Sequence, residues 1–95
     1  MFMFRRKERR RYGRSEFDGV PLAMLLPGTE ATVIRVEGGR GLVGRLCELG
    51  FVEGAKVRML VSSGSGPILV EVKNSRIGLG RGAAMRVYVR EEGWQ

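Results

Sequence analysis

The chain has 95 residues, a single cysteine, no histidine and a formal net charge of +7. That length fits one small domain near the lower limit for a self-sufficient core. A lone thiol excludes an intramolecular disulfide framework, the lack of histidine removes Ser–His and Cys–His pairs and most transition-metal sites, and no run approaches the ~18 apolar residues of a bilayer-spanning helix.

The first twenty residues carry much of the charge. Arg5, Arg6, Lys7, Arg9, Arg10, Arg11 and Arg14 face only Glu8, Glu16 and Asp18, which leaves +3 for the other seventy-five residues. Residues 1–18 therefore read as a basic, flexible N-terminal tail that is dispensable for folding. Such a tail either stays solvated and keeps a small protein soluble, or attracts anions of any kind, nucleic acid or an acidic membrane surface, by non-specific electrostatics. The opening Met1, Phe2, Met3 and Phe4 are too few for a signal-peptide core, which needs roughly 7–15 apolar residues. The cytosol is the expected compartment, with peripheral contact at the inner face of the cell membrane through the tail.

Residues 19–91 carry the domain pattern, and 92–95 read as a short C-terminal tail. Pro27–Gly28 is a turn dipeptide that opens a strand over 29–36, rich in β-branched residues. Glycines 38, 39 and 41 connect it to a helix at 42–49, where Leu42, Leu46 and Leu49 recur at i, i+4 and i+7 and predict one buried face. Gly50 is placed to end that helix in a left-handed conformation. Glu53–Gly54 turns the chain into a second strand, 56–61, in which Val57, Met59 and Val61 alternate with Arg58 and Leu60. Serines and glycines over 62–66 form a hairpin-type loop. Pro67 opens a third strand with Ile68, Val70 and Val72 on one face. A turn at Asn74–Ser75, a short strand at 77–79 and a last strand in which Met85, Val87 and Val89 alternate complete the pattern. Short strands punctuated by glycine turns predict a mainly β fold, a small antiparallel barrel with one short helix between its first two strands.

The chemistry is sparse. Cys47 and Glu48 are neighbours on a helix and point apart, so they make no metal site. Gly78–Leu–Gly–Arg–Gly82 and Gly38–Gly–Arg–Gly41 lack the Lys-Ser/Thr of a phosphate loop and the context of a dinucleotide fingerprint, and read as turns. No catalytic residue, cofactor-binding residue or metal ligand is predicted, and the chain reads as a non-enzyme. Scattered aromatics argue against a base-stacking platform, so nucleic acid is a disfavoured partner. Phe51–Val52, just past the helix stop, allows two readings: a staple buried under the barrel, or an exposed apolar contact for a partner. With Arg45 on the helix's outer side, Arg45, Phe51 and Val52 are the candidate partner-binding residues, since aromatics and arginine dominate contact patches.

The ordered set of these pieces resembles the ferrous-iron transport protein A (FeoA) family. The resemblance runs from Pro21–Leu22 through Pro27–Gly28 and Ala31–Thr–Val33–Ile34. It continues through Leu46–Cys–Glu–Leu49–Gly50–Phe–Val–Glu–Gly54–Ala–Lys–Val57, then Gly66–Pro67, Arg76–Ile77–Gly–Leu79 and Ala83–Ala84–Met85. It covers about residues 20–90. It departs at Glu53, where the family usually has proline, at Gly78, where alanine is common, and in the added basic tail. The resemblance implies an SH3-like β-barrel and a cytosolic accessory to the ferrous-iron permease FeoB, whose cytosolic G-domain hydrolyses GTP. It implies no resident cofactor and at most weak or indirect Fe(II) association. A homo-oligomer is a further partner call, and a nucleic-acid-associated barrel with a basic tail and a freestanding metalloregulator-type interaction domain are the alternatives.

Overall fold

A computed structural model describes residues 19–92. Expectations for the basic segment 1–18 and for residues 93–95 lie outside the described residues. Chain order is β1 (Val20–Pro21), a 3-10 turn (Leu22–Met24), β2 (Glu30–Val36), α1 (Arg40–Leu49), β3 (Lys56–Ser62), β4 (Ile68–Val72), β5 (Ser75–Leu79), α2 (Arg81–Ala84) and β6 (Val87–Glu91). The strands form one antiparallel sheet in the order β1-β6-β2-β3-β4-β5. Alternate residues of β2, β3, β4 and β6 (Ala31 and Val33, Val57 and Met59, Ile68, Val70 and Val72, Val87 and Val89) are buried in one core. Leu22, Leu25, Leu46, Phe51 and Ala84 complete it. The mainly β architecture with its one substantial helix agrees with the sequence. Closure does not, because β1 and β5 remain edge strands of an open sheet.

Two turns of one geometry bracket the β2–β3 pair. In 26–29 and in 52–55 the amide of the fourth residue donates to the carbonyl of the first, at 3.1 and 2.9 Å, and the third residue is a glycine with φ 89°. That is the type II pattern, with Pro27 and Glu53 at the second position. Each glycine then donates to the opposite strand, Gly28 to Met59 O at 2.7 Å and Gly54 to Val33 O at 2.8 Å. The faint echo between the two stretches is thus shared turn geometry.

Several local expectations change. The helix starts two residues early, at Arg40, with Gly39 at its N-cap. Leu49 is 40% exposed, so the inward face of α1 is Leu46 with part-buried Leu42, not the full leucine triplet. Hairpin β4–β5 turns at Lys73 and Asn74, both with positive φ as a two-residue I′ turn requires, one residue before the expected position. Met85 is not in a strand: Gly80 to Ala84 closes a single helical turn, with Ala84 N donating to Gly80 O at 2.9 Å. Four residues are too few to print a helical period in sequence, and β6 begins only at Val87. Glu92, assigned to the C-terminal tail, still donates its amide to Glu30 O at 2.7 Å.

Candidate functional site

The end of α1 decides where Phe51 goes. Gly50 adopts φ 112°, a left-handed conformation that costs a side chain. Its amide donates to Cys47 O at 3.0 Å, and the Phe51 amide donates to Leu46 O at 3.0 Å. This pair of bonds is a Schellman motif, and its usual companion is an apolar contact between the residue after the glycine and the one five positions earlier. Leu46 and Phe51 are those two residues, and both belong to the core. Phe51 is therefore 1% exposed. Its expected role as an exposed partner contact is corrected to that of a buried anchor beneath a groove.

That groove, about 330 Å³, lies between α1 and β2 and is lined by Ile34, Arg35, Val36, Val43, Cys47, Phe51, Val52 and Glu53. Val43 and Cys47 are one helical turn apart and share a face. Ile34 is the extra residue of a bulge, where β2 and β6 shift register between Val33 and Arg35. Val52 is part-buried and lines the groove. Arg45, although exposed, does not line the groove: two residues from both Val43 and Cys47, it projects from another side of α1. Of the three predicted contact residues, Phe51 and Val52 line this groove and Arg45 lies on another side of α1. Arg35 on the rim is held by an ion pair to Glu37 at 2.7 Å and by stacking over the Tyr88 ring, 4.5 Å from its centroid. Cys47 is free and exposed.

A second, larger depression of about 520 Å³ crosses β2, β3 and β4, lined mainly by Glu30, Lys56, Arg58, Glu71, Lys73 and Glu92 around Ala55 and Val57. Its charges are largely paired. Arg58 bonds Glu30, which raises the guanidinium above its ordinary value, first through the hydrogen bond and then through charge. Glu92 accepts from the Thr32 hydroxyl and from Lys56 Nζ at 3.1 Å, and these bonds, Thr32 first, hold its carboxyl below the ordinary value.

Among the described residues no three His, Cys, Asp or Glu side chains gather as metal ligands. No helix there is long and apolar enough to cross a membrane. The two glycine clusters resolve as the start of α1 and the link from β5 to α2.

Comparison with known proteins gives a consistent picture. The family model of the FeoA domain matches residues 20–91. A Methanocaldococcus jannaschii protein named Fe(2+) transport protein A is 34% identical over 71 residues, 75% of this chain and 85% of that relative. A crystal structure of an iron uptake regulatory protein, FeoA, superposes with TM-score 0.74 at 36% identity, covering 77% of this chain and 97% of the other. FeoA of Stenotrophomonas maltophilia complexed with zinc, described as an SH3 domain protein, superposes with TM-score 0.65 at 38% identity over 72% of this chain and 86% of its own.

Proposed function

The chain belongs to the FeoA family, and from that premise we propose that it is a non-enzymatic accessory of ferrous-iron uptake that docks on the cytosolic portion of a FeoB-like permease. The observation that carries this reading is the α1/β2 groove. It is walled by aliphatic side chains on rigid elements, its floor is tied to the core through Phe51, and its rim carries Arg35 and Glu53. An apolar floor with a charged rim is the anatomy of a docking surface. For the S. maltophilia relative, a role as a ferrous iron transport activating factor has been suggested.

In this reading iron is the permease's cargo, and this chain holds no resident metal of its own. The zinc of the S. maltophilia structure belongs to that protein. The site of action is the cytosolic face of the membrane, where the permease exposes its G-domain.

The test compares the groove with the opposite side of α1. Val52→Glu and Val43→Glu, which place a charge in the groove, are expected to weaken binding of the permease's cytosolic portion about tenfold or more, the scale of a lost apolar contact. Arg45→Glu, on the other side of α1, is expected to leave affinity within about twofold. The opposite ranking removes the groove from the interface.

A further inference from the structure

The sheet ends on two unlike edges. β1 is two residues long and contains Pro21, which has no amide to donate. β5 is five residues long, holds no proline and pairs with β4 without a register shift. Edges are commonly blunted by shortness, proline, a bulge or a charge, and of these β5 has only the charge of Arg76. The turn before it fixes which backbone groups are free. In a two-residue I′ hairpin the closing pair, here Val72 and Ser75, exchanges both of its bonds, and bonded and non-bonded pairs then alternate along the ladder. Ser75, Ile77 and Leu79 therefore bond β4, while the N–H and C=O groups of Arg76 and Gly78 point off the sheet. Among the described residues neither finds another backbone partner. We infer that a second copy of this chain pairs at this edge, β5 against β5, antiparallel about a two-fold axis at Ile77.

Charge and parity select that register. On the face away from the core a row of alternating sign runs Glu30, Arg58, Glu71, Arg76 across β2, β3, β4 and β5, each residue directly opposite the next. The row ends on a cation, so an added strand is disfavoured if it sets a second cation there. The chain's own β5 meets this condition when Ile77 faces Ile77. Arg76 then stands opposite Gly78 of the second copy, and the symmetry repeats the pair. The free groups of Arg76 and Gly78 become the hydrogen-bonded pairs, and the isoleucines form the closer non-bonded pair between them. A slip of two residues one way sets Arg76 against Arg76. The opposite slip sets Arg76 against Gly80, which lies beyond the strand. Half-buried Ile77 gains cover in the chosen register. Gly78 leaves space for the facing arginine, since even a Cβ there meets nothing within 4 Å. The interface is isologous and β1 is blunted, so association closes at two copies.

The contact is small, so the expected dimer dissociation constant is about 0.1–1 mM, read by sedimentation equilibrium of the full chain. The Arg76 and Gly78 amides, open to solvent in the monomer, are expected to gain protection from hydrogen exchange as concentration rises. Position 78 tests the register. Gly78→Glu sets a carboxylate opposite Arg76 of the second copy and continues the alternating row, and is expected to tighten the dimer about fivefold. Gly78→Lys is expected to loosen it by about the same factor. Gly78→Pro removes an amide that β4 does not use, which an edge strand tolerates, and should abolish the dimer. The charged pair of variants decides the matter even if the proline variant fails to fold. A chain that stays monomeric at ~1 mM, or amides that stay unprotected, overturn the inference and leave the edge to a strand of another protein. A dimer that Gly78→Glu loosens or leaves unchanged overturns it as well, because its contact lies in another register or on another surface. No permease enters the assay, and none of the residues lining the α1/β2 groove belongs to β5, so the result is independent of the docking reading.

Discussion

The two depressions on this small domain are built on opposite principles. The larger, across β2, β3 and β4, is charged, and much of its charge is answered internally: Arg58 by Glu30, Lys56 by Glu92, and Glu92 again by Thr32. The smaller, between α1 and β2, presents aliphatic carbon above a buried phenyl ring. Size alone would choose the first as the working surface. Surface ion pairs that already have partners gain little from a new one, whereas apolar surface gains from any cover that excludes water. The difference teaches that apolar surface left uncovered, not room, is what a partner would gain by covering.

The most severe way to break the comparison is to remove the floor. Phe51→Ala is expected to cost ~3–5 kcal/mol, as for a buried aromatic whose site collapses incompletely. For a domain of this size that lowers Tm by more than about 12 °C. Chemical denaturation measures it. A loss under ~1 kcal/mol would mean that Phe51 is dispensable to the core and free to serve the surface.

A smaller effect tests the helix stop that aims Phe51 inward. Gly50→Ala forces a side chain into φ 112°, with Lys73 Cδ 3.3 Å and Val72 Cγ2 3.4 Å from the new Cβ. The expected cost is ~1–2 kcal/mol from the left-handed backbone. Lys73 is a flexible neighbour and can move aside. Denaturation midpoints of the two proteins give the value, and no change would mean that the Schellman turn is not what fixes Phe51.

The third test returns to function. Arg58→Ala in the charged depression is expected to leave permease affinity within about twofold, because an exposed ion pair contributes little. Val52→Glu in the apolar groove should show the tenfold loss already stated. Were Arg58→Ala the more damaging of the two, the larger depression would be the docking face after all.

Much of this was legible in the sequence, and the reasons for the rest are local. The strands of the core announced themselves because Val57/Met59, Ile68/Val70/Val72 and Val87/Val89 alternate, and the sheet buries that one face. Phe51, expected as an exposed contact, carried a signal for the core that composition does not show. Leu46, Gly50 and Phe51 stand at the spacing of a Schellman motif, which pairs the residue after the glycine with the residue five before it. Arg45 lies outside the groove because exposure on a helix does not fix position: at 100° per residue, two residues carry it to another side of α1 from Val43 and Cys47. Ile34 could not be foreseen. It stands at a bulge in the β2–β6 ladder beside α1, and which strand face meets the helix depends on how the strands pair, not on the strand's own residues. The one-turn α2 and the two-residue β1 were invisible for a simpler reason. Elements that short carry no period.

The smallest expected effect sharpens the comparison from the charged side. The Thr32 hydroxyl and, after it, Lys56 hold the Glu92 carboxyl below its ordinary value. A carboxyl depressed in the folded state stabilises the fold fully above its unfolded value. That stabilisation fades as pH falls through the lowered folded value. Glu92→Gln keeps a hydrogen-bond acceptor for Thr32 and removes the titration. Parent and variant are therefore expected to differ most in Tm at neutral pH and to converge on acidification, the parent losing what the variant never had. Added salt should narrow the neutral-pH gap, since the Lys56 contribution is an exposed ion pair open to screening. Thermal melts over a pH series check this. Parallel curves would show that Glu92 titrates alike folded and unfolded, and that the charges of the larger depression are not held in place by their partners.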